Sequence, residues 1–569
     1  MTAAHEDEAM RRAMRRDVLR QLAALGVTLA APLASAHAGQ AAAADASGNA
    51  AGNLPANAAN NASGNASGMA PAQGPVERWG SIEIALDGPA NGNPFVEVEF
   101  SAVFSQGARR VRAPGFYDGD GAYKVRFMPD SLGDWTWETR SNRPALNGKR
   151  GSFTAVAPGP GNHGPVRVRN TFHFGYEDGT PFWQVGTTSY AWTHQSEALQ
   201  RQTLATLAAA PFNKLRMAVF PNYDDKGEPA LYPFQGKAPQ AWDFERFDPA
   251  FFRRLDTRVA QLRALGIEAD LILFHPYDKG HWGFDRMAAG VDDRYLRYVV
   301  ARLAAYRNVW WSIANEFDLM RMKTAADWDR YFQVVQATDP YAHLRSIHNS
   351  MRLYDNNKPW VTHASIQNGA AVEDAERAVL YRDVYNKPVV FDEVKYEGNF
   401  ERRWGQLSPE DMVLRFWEGA IAGTYVGHSE TYNDPNGLVW LAKGGTLRGG
   451  SPPRLAFFRR ILADSPPAGL EPIDKWQDYP FAGKPGHYYL GYFGREKPVR
   501  WDFALAKPAL ADGMRFRVEV IDTWNMTVTP VDGVFETRKR GLYEFVDKDG
   551  RGIDLPGRPY MALRIVRLA

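Results

Sequence analysis

The 569-residue sequence predicts a multidomain protein in which a central (β/α)8 TIM barrel is flanked by an N-terminal immunoglobulin-like β-sandwich and a C-terminal all-β sandwich. Three observations predict this fold class. Apolar and polar residues alternate with a period of two near both ends of the chain, which is typical of antiparallel strands. Between these regions, short β-branched and aromatic runs alternate with helical patterns, as they do in parallel β/α folds. The chain is also longer than a single hydrophobic core usually serves.

The composition is that of an ordinary globular protein, with 44% hydrophobic and 23% charged residues. A net charge of +2 gives no electrostatic basis for binding nucleic acid. There is no cysteine, which excludes disulfides, a thiol nucleophile and thiolate metal ligands. The 17 Trp and 24 Tyr residues suit a carbohydrate cleft, because sugar C–H faces pack on aromatic rings. They suit the cores of large β domains equally well.

The first 38 residues are predicted to be an export signal rather than part of the fold. Arg15 and Arg16 lie in a segment that resembles a twin-arginine signal, and an apolar stretch (22–34) and an Ala-His-Ala cleavage site (36–38) follow. The alternative is an ordinary amphipathic helix. We expect the twin-arginine export machinery to deliver the protein to the periplasm or beyond, with no membrane anchor in the mature form. Residues 39–75, rich in Ala, Asn, Gly, Ser and Pro, predict a linker.

Period-two alternation predicts the two β domains. Residues 76–160 contain it clearly at 95–104 and 122–127, and they are predicted to form the N-terminal sandwich. No catalytic combination of side chains occurs there, so an accessory role, structural or in contact with sugar, is expected. The C-terminal sandwich is predicted over residues 467–569, where alternation returns at residues 487–493, 515–521 and 560–566.

The barrel is predicted over residues 170–466, a length that suits eight β/α units with modest loop insertions. Helical patterns lie between most of the strands. The long aromatic loop at 221–243 is expected to form a wall of the cleft. The eight candidate strands are residues 182–188, 214–220, 269–274, 309–313, 344–348, 360–363, 388–391 and 424–427.

Two glutamates each end a predicted barrel strand. Glu316 closes the run that begins at Asn308, and Glu393 closes the run that begins at Lys387. The C-terminal ends of barrel strands carry the active site. Two carboxylates that face one cleft are the minimum needed to cleave a glycosidic bond, because one protonates the leaving oxygen while the other attacks the sugar. The alternative is that both are solvated strand-end residues.

The Trp-Ser-Ile-Ala-Asn-Glu motif at 311–316, together with a glutamate ending strand seven, resembles the large clan of retaining (β/α)8-barrel glycoside hydrolases that carry an Asn-Glu pair. The whole layout resembles a bacterial subgroup of candidate endoglucanases and apiosidase-like hydrolases. This resemblance implies that Glu316 is the general acid/base and Glu393 the nucleophile of a double displacement, with no cofactor. Arg216 would favour the ionised nucleophile. Asp392 is a rival to Glu393, but strand alternation predicts that these neighbours face opposite ways.

Further side chains at the strand ends are candidates for binding a carbohydrate. The alternative for each His is a satisfied structural role, and for each Trp it is core packing. These candidates show no His-x-x-x-His or His-Glu-x-x-His spacing, so no metal site is predicted. A non-catalytic carbohydrate-binding or surface-scaffold protein remains the alternative function. The candidates are Tyr190, Trp192, Arg216, His275, Tyr277, Asn315, His348, His363, His428 and Trp440.

Overall fold

A computed structural model describes residues 74–223, 228–435, 437–473 and 479–568. The predicted export signal, and all but the last two residues of the predicted linker, lie outside these ranges. Among the described helices, none combines the length and the apolar character that a membrane span requires.

The N-terminal region forms one seven-stranded sheet with the order β1-β7-β6-β3-β4-β5-β2. Strand β4 pairs with β3 through its first six residues and with β5 through its last three, so it belongs to two antiparallel ladders. Phe104 and Phe127 stack in the core, with ring centroids 4.0 Å apart. The immunoglobulin-like topology stays a prediction. The elements are β1 (Val76–Glu77), β2 (Ile82–Asp87), α1 (Pro94–Glu97), β3 (Phe100–Gln106), β4 (Arg109–Tyr117), β5 (Ala122–Phe127), β6 (Gly133–Ser141) and β7 (Arg150–Val156).

A short antiparallel hairpin, β8 (Val166–Arg169) and β9 (His173–Tyr176), leads into alternating strands and helices. In chain order these are β10 (Gly186–Thr188), α2 (Glu197–Ala209), β11 (Lys214–Ala218), β12 (Phe234–Lys237), β13 (Ala241–Phe247), α3 (Pro249–Ala264), β14 (Glu268–Phe274), α4 (Ala289–Leu303), β15 (Val309–Ala314), α5 (Ala325–Thr338), β16 (Arg345–Ser346), β17 (Ala364–Gln367), α6 (Ala375–Tyr385), β18 (Val389–Glu393), β19 (Glu397–Gly398), α7 (Pro409–Ile421), β20 (Tyr425–His428), β21 (Glu430–Thr431), α8 (Trp440–Lys443) and α9 (Ser451–Ala463).

Eight of these strands form a parallel sheet with the order β16-β15-β14-β11-β10-β20-β18-β17. A parallel bridge between His348 and Ser365 joins the two edges and closes the sheet. The predicted barrel is confirmed. One prediction was wrong, because strand six begins at Ala364 and residues 360–363 precede it. There, Thr362 binds the backbone of Arg345 through both its amide and its hydroxyl, instead of extending the strand.

Local sequence explains where the barrel elements begin. Every residue of β14 and β15 is buried, which accounts for their apolar runs at 271–274 and 309–311. Helix α3 begins after Asp248, whose side chain accepts from the amide of Ala250, with a proline at the first helical position. Helix α5 begins at a capping box between Thr324 and Asp327.

The C-terminal region is a second β domain that packs on helix α7. Trp417 of α7 stacks on Tyr492, with ring centroids 5.4 Å apart. Nine strands form its main sheet and a further pair lies apart. The strands are β22 (Glu471–Ile473), β23 (Phe481–Lys484), β24 (Tyr488–Tyr492), β25 (Arg500–Asp502), β26 (Ala504–Ala506), β27 (Arg515–Asp522), β28 (Thr527–Pro530), β29 (Phe535–Arg540), β30 (Glu544–Asp547), β31 (Gly552–Asp554) and β32 (Met561–Arg567).

Candidate active site

Glu393, the last residue of β18, lies at the C-terminal end of the barrel and is only 6% exposed. The Tyr190 hydroxyl donates to its Oε1 atom, and Gln367 Nε2 donates to its Oε2 atom at 2.7 Å. Arg216 Nη1 lies 3.6 Å from Oε1, and His348 Nε2 lies 3.4 Å from the same atom. One carboxylate is therefore surrounded by two hydrogen-bond donors and two basic side chains.

These contacts favour the ionised form of Glu393. Burial alone raises the pKa of its carboxyl group, but the interactions with His348 and Arg216 and the hydrogen bond from Tyr190 outweigh burial. The pKa of Glu393 consequently lies well below its usual range. Burial and the nearby Glu393 raise the pKa of Tyr190 far above its ordinary value, so the phenol keeps the proton that it donates.

A register shift explains why Glu393 faces the cleft. Between β17 and β18, Ser365 pairs with Val390 but Gln367 pairs with Glu393, so β18 has one extra residue in this interval. Regular alternation cannot hold across such a bulge, and the expectation that Asp392 and Glu393 face opposite ways was wrong. Both carboxylates lie inside the barrel.

Asp392 lies among charged and polar groups of the barrel interior. Its carboxylate lies 2.9 Å from Lys214 Nζ and accepts from the Ser365 hydroxyl at 2.6 Å. Lys214 Nζ also lies 2.8 Å from Asp270, and all three charged side chains are at most 3% exposed. The carboxylate of Asp392 is thus held by a buried cation and a hydroxyl.

Glu316 follows β15 and is 9% exposed. Asn315 Nδ2 donates to the Tyr277 hydroxyl at 2.5 Å, and that hydroxyl donates to Glu316 Oε2 at 3.1 Å. The backbone of Glu316 is left-handed, with φ of 45°. Such strain in a non-glycine residue costs on the order of 1–3 kcal/mol and is concentrated at functional sites. The Phe317 amide, which binds the carbonyl oxygen of His348 at 3.1 Å, helps to hold this turn.

Two tyrosines lie between the glutamates. The rings of Tyr190 and Tyr277 are 6.1 Å apart, and each hydroxyl donates to a different glutamate. His275 orients Tyr277, because its Nδ1 atom accepts from the Tyr277 amide at 3.2 Å. The ring proton therefore lies on Nε2, which donates to the Phe220 carbonyl oxygen at 3.0 Å. Burial lowers the pKa of His275 to about 4, so the ring is neutral at neutral pH.

Arg216 brings a buried positive charge to the floor of the cleft. Its side chain is 1% exposed, and none of its three guanidinium nitrogens makes a hydrogen bond within the described part of the chain. The Nε atom lies 4.0 Å from both Asp270 and Asp392. Since Nη1 is closest to Glu393, the position agrees with the predicted charge partner of the nucleophile.

Two predicted binding residues lie elsewhere. His363 precedes β17 and packs against Phe174 of the hairpin β8–β9 and against Trp310, with ring centroids 5.6 and 5.2 Å apart. It lies at the opposite end of the barrel, because strand six begins one residue after it. Trp192 is fully buried and its indole nitrogen contacts Met217 Sδ at 3.4 Å, within the core packed around α3. Neither prediction was correct.

His428 and Trp440 were also wrongly assigned to the cleft. Both side chains contact the Thr187 hydroxyl, each at 3.0 Å, and both are buried. His428 stacks on Phe212, with ring centroids 4.7 Å apart, in the core between the barrel and its helices. Along β20, Tyr425 packs with Phe174 and Trp310 inside the barrel. His428, three residues later, lies on the outer face, as the period of two requires.

Two residues of the site were missed by the sequence analysis. Gln367 ends the true strand six, and misplacing that strand concealed it. Tyr396 lies beyond β18, where it packs in the same buried cluster as Tyr190. No strand pattern marks Tyr396; only an aromatic residue three positions after Glu393 could have drawn attention to it.

Comparison with known proteins identifies the family. An apiosidase-like catalytic domain family matches residues 169–444, and two domains of unknown function, DUF5060 and DUF5605, match residues 75–142 and 476–566. The chain is 44% identical to a crystal structure described as a candidate glycoside hydrolase from Bacteroides vulgatus ATCC 8482, with a TM-score of 0.84 over 87% of this chain and 100% of the other.

The structure of a glycoside hydrolase family 5 protein from Bacteroides vulgatus ATCC 8482 is 15% identical, and the match covers 72% of this chain and 94% of the other, with a TM-score of 0.52. At this identity, the likeness shows the fold alone. A search of the curated proteins gave no match. The predicted family resemblance is confirmed: the chain belongs to the apiosidase-like glycoside hydrolases, with additional N- and C-terminal domains.

Proposed function

We propose that the protein hydrolyses glycosidic bonds of a poly- or oligosaccharide with retention of configuration, using Glu393 as nucleophile and Glu316 as general acid/base. The observation that carries this proposal is the environment of Glu393. Tyr190, Gln367, Arg216 and His348 all stabilise its negative charge. A nucleophile in a double displacement must stay ionised at the working pH.

In the first step, Glu393 attacks the anomeric carbon while Glu316 donates its proton to the departing glycosidic oxygen. The bond to the leaving group breaks and an ester forms between the sugar and Glu393. Glu316 then removes a proton from water, which attacks the same carbon and releases Glu393. The chain of hydrogen bonds from Asn315 through Tyr277 to Glu316 would hold the acid in one orientation throughout.

Asn315 would also contact the sugar. Its Oδ1 atom is buried and accepts no hydrogen bond from the described residues. A sugar 2-hydroxyl group that donates to this atom would satisfy it, and such contacts strengthen in the oxocarbenium-like transition state. The export signal predicted for the first 38 residues supports action in the periplasm or outside the cell.

The test is a sugar-release assay on plant and bacterial glycans, including apiose-containing glycans, and on aryl glycosides. We expect release by the wild type and a loss of at least about 10³-fold in kcat for Glu393→Gln and for Glu316→Gln. Glu268→Gln is the matched control, since Glu268 is a buried carboxyl at the first position of β14, the strand end opposite the cleft, and accepts from the Trp310 indole.

The configuration of the first product, followed by proton NMR, tests retention separately. Product released with inverted configuration would contradict the double displacement while leaving hydrolysis intact. Binding of a glycan without turnover would instead favour the non-catalytic carbohydrate-binding protein. Full activity in both glutamine variants would overturn the assignment of these residues.

A further inference from the structure

Three buried side chains converge outside the catalytic cleft: Glu397, His428 and Glu430. One ligand atom from each lies within 4.8 Å of the other two. Glu397 and Glu430 begin the short parallel pair β19–β21, which extends strands seven and eight beyond the barrel. His428 reaches the same place from the outer face of β20. None of the three is more than 1% exposed.

Two of the converging atoms have no hydrogen-bond partner among the described residues. They are His428 Nε2 and Glu430 Oε1, which face each other at 3.7 Å. That separation is too long for a hydrogen bond. It is close to the separation of about 3.4–3.6 Å between two atoms that each lie about 2.1–2.2 Å from one tetrahedral ion. His428 Nε2 and Glu430 Oε1 therefore face each other without forming a hydrogen bond.

The hydrogen bond that Glu430 accepts does not involve its Oε1 atom. The Arg448 amide donates to Glu430 Oε2, the oxygen that faces away, at 2.7 Å. A Cβ atom on Gly449 would come within 2.5 Å of one oxygen of Glu397 and of Glu430 Oε1. The space between the two carboxylates therefore adjoins a residue without a side chain.

Glu397 is already anchored at the start of α9. Its Oε1 atom accepts from the Gly450 amide at 2.6 Å, and its Oε2 atom accepts from the amide and the hydroxyl of Ser451. The Tyr432 hydroxyl also donates to Oε1, at 3.2 Å, which is longer than the bond from the Gly450 amide. Within the described part of the chain, no Lys or Arg side chain forms an ion pair with Glu397 or Glu430.

We propose that Glu397, His428 and Glu430 bind one divalent transition-metal ion. Two carboxylates and one imidazole suit Zn²⁺ or Mn²⁺, whereas Ca²⁺ prefers oxygen ligands alone. Two negative charges balance the ion in a buried setting. The His428 Nδ1 atom, 3.0 Å from the Thr187 hydroxyl, has the outer partner that fixes the orientation of a metal-binding imidazole.

The role of the ion is structural. It joins the ends of β18 and β20 to the start of α9, and Glu397 directly follows Tyr396, which packs in the same buried cluster as Tyr190. The ion thereby holds the segment that supports the Tyr190–Glu393 hydrogen bond, without entering the cleft. The spacing of the three ligands matches no sequence signature because two separate segments of the chain supply them.

The experiment uses the full chain, treated with EDTA, desalted and titrated with Co²⁺ and then Zn²⁺. We expect a visible Co²⁺ absorption band that saturates at one ion per chain and disappears when Zn²⁺ is added. Zinc should raise the Tm of the wild type. X-ray absorption of the zinc-loaded protein should show one imidazole among oxygen ligands. No band, or a zinc environment without imidazole, would overturn the proposal.

Variants locate the ion. Gly449→Ala keeps all three ligands but places a methyl group between the carboxylates, and we expect at least a tenfold loss of zinc affinity. His428→Gln should lose affinity to the same extent. Glu418→Gln, a buried glutamate on α7, is the matched control and should bind as the wild type does. Wild-type affinity in both test variants would overturn the proposal; the wild-type spectra decide the matter if either variant fails to fold.

Discussion

At the scale of single residues, the two glutamates have different surroundings although both end a barrel strand. Glu393 faces Arg216 and His348 and accepts two hydrogen bonds. Glu316 lies on a left-handed turn beside Tyr277. A double displacement requires one carboxyl group that stays ionised and another that exchanges a proton. The contacts around Glu393 favour its ionised form and so support the proposed role of this residue as the nucleophile.

Tyr190→Phe should shift the acidic limb of the pH profile of kcat/KM to higher pH. The Tyr190 hydroxyl lowers the pKa of Glu393, so its removal raises that pKa, and the nucleophile becomes protonated at a higher pH. A hydrogen bond to a charged group contributes about 1.5–3 kcal/mol, which corresponds to about one to two pH units.

The profile is measured on the wild type, on Tyr190→Phe and on Tyr488→Phe, whose hydroxyl lies near Ser465 in the C-terminal region. The control should retain the wild-type profile. An acidic limb that does not move in Tyr190→Phe would show that this hydroxyl does not tune the nucleophile.

At the scale of elements, the bulge in β18 determines the chemistry of the barrel. The extra residue between Val390 and Glu393 lets two consecutive acids face inward. Asp392 then pairs with Lys214 below, while Glu393 reaches the cleft. An unbroken ladder would turn one of the two carboxylates toward the helices, away from the cleft.

Thr324→Ala should loosen the first turn of α5, the helix that follows the Glu316 loop. The Thr324 hydroxyl accepts from the Asp327 amide, and loss of such a cap typically costs about 1 kcal/mol. Native-state hydrogen exchange of the Asp327 amide should therefore accelerate about fivefold.

Thr338→Ala is the matched control in the same helix. The Thr338 hydroxyl donates to the Val334 carbonyl oxygen within the last turn, so the first-turn amides should exchange at the wild-type rate. Equal exchange of the Asp327 amide in wild type and Thr324→Ala would contradict the capping role.

At the scale of the whole molecule, a buried ionic network joins the N-terminal sheet to the barrel. Arg302 of α4 lies 2.8 Å from Asp118 and 2.6 Å from Asp256 of α3. Arg126 of β5 lies 3.0 Å from the same Asp256 carboxylate. All four side chains are at most 8% exposed. Removing one partner of such a network leaves a buried charge unpaired, which costs about 3–5 kcal/mol of stability.

Asp256→Asn should lower the Tm at neutral pH, and this effect should shrink in acid. Burial raises the pKa of Asp256, but Arg126 and Arg302 lower it further than burial raises it, so the folded pKa lies below the ordinary value. The stabilisation is therefore complete above the unfolded pKa of about 4 and is lost as the pH falls through the folded pKa.

Thermal unfolding of wild type and Asp256→Asn is measured from pH 7 down to pH 3. Asp130→Asn is the control, since Asp130 pairs with Arg109 on the exposed surface and such pairs contribute at most about 1 kcal/mol. A difference in Tm between wild type and Asp256→Asn that stays constant with pH would contradict the network's role.

The sequence alone determined the fold class and the family. Continuous apolar runs mark the buried strands of the barrel because parallel strands are covered on both faces. The two glutamates could also be found from the sequence. Glu316 and Glu393 each lie at or directly after the end of an apolar run, so local sequence is enough to place them at strand ends. Tyr190, Arg216, His275, Tyr277 and Asn315 all lie at the cleft, although His275 contacts Tyr277 and the backbone.

Only the tertiary structure decided which way each side chain faces. Four predicted binding residues are as close in sequence to barrel strands as the cleft residues are. They nevertheless pack at the end of the barrel opposite the cleft, as His363 does, or in the core outside the cleft, as Trp192, His428 and Trp440 do. A bulge, a strand that begins four residues later than predicted and loops that meet only in space set these directions. Sequence patterns record the local period of burial, whereas a site depends on register and on contacts between distant segments.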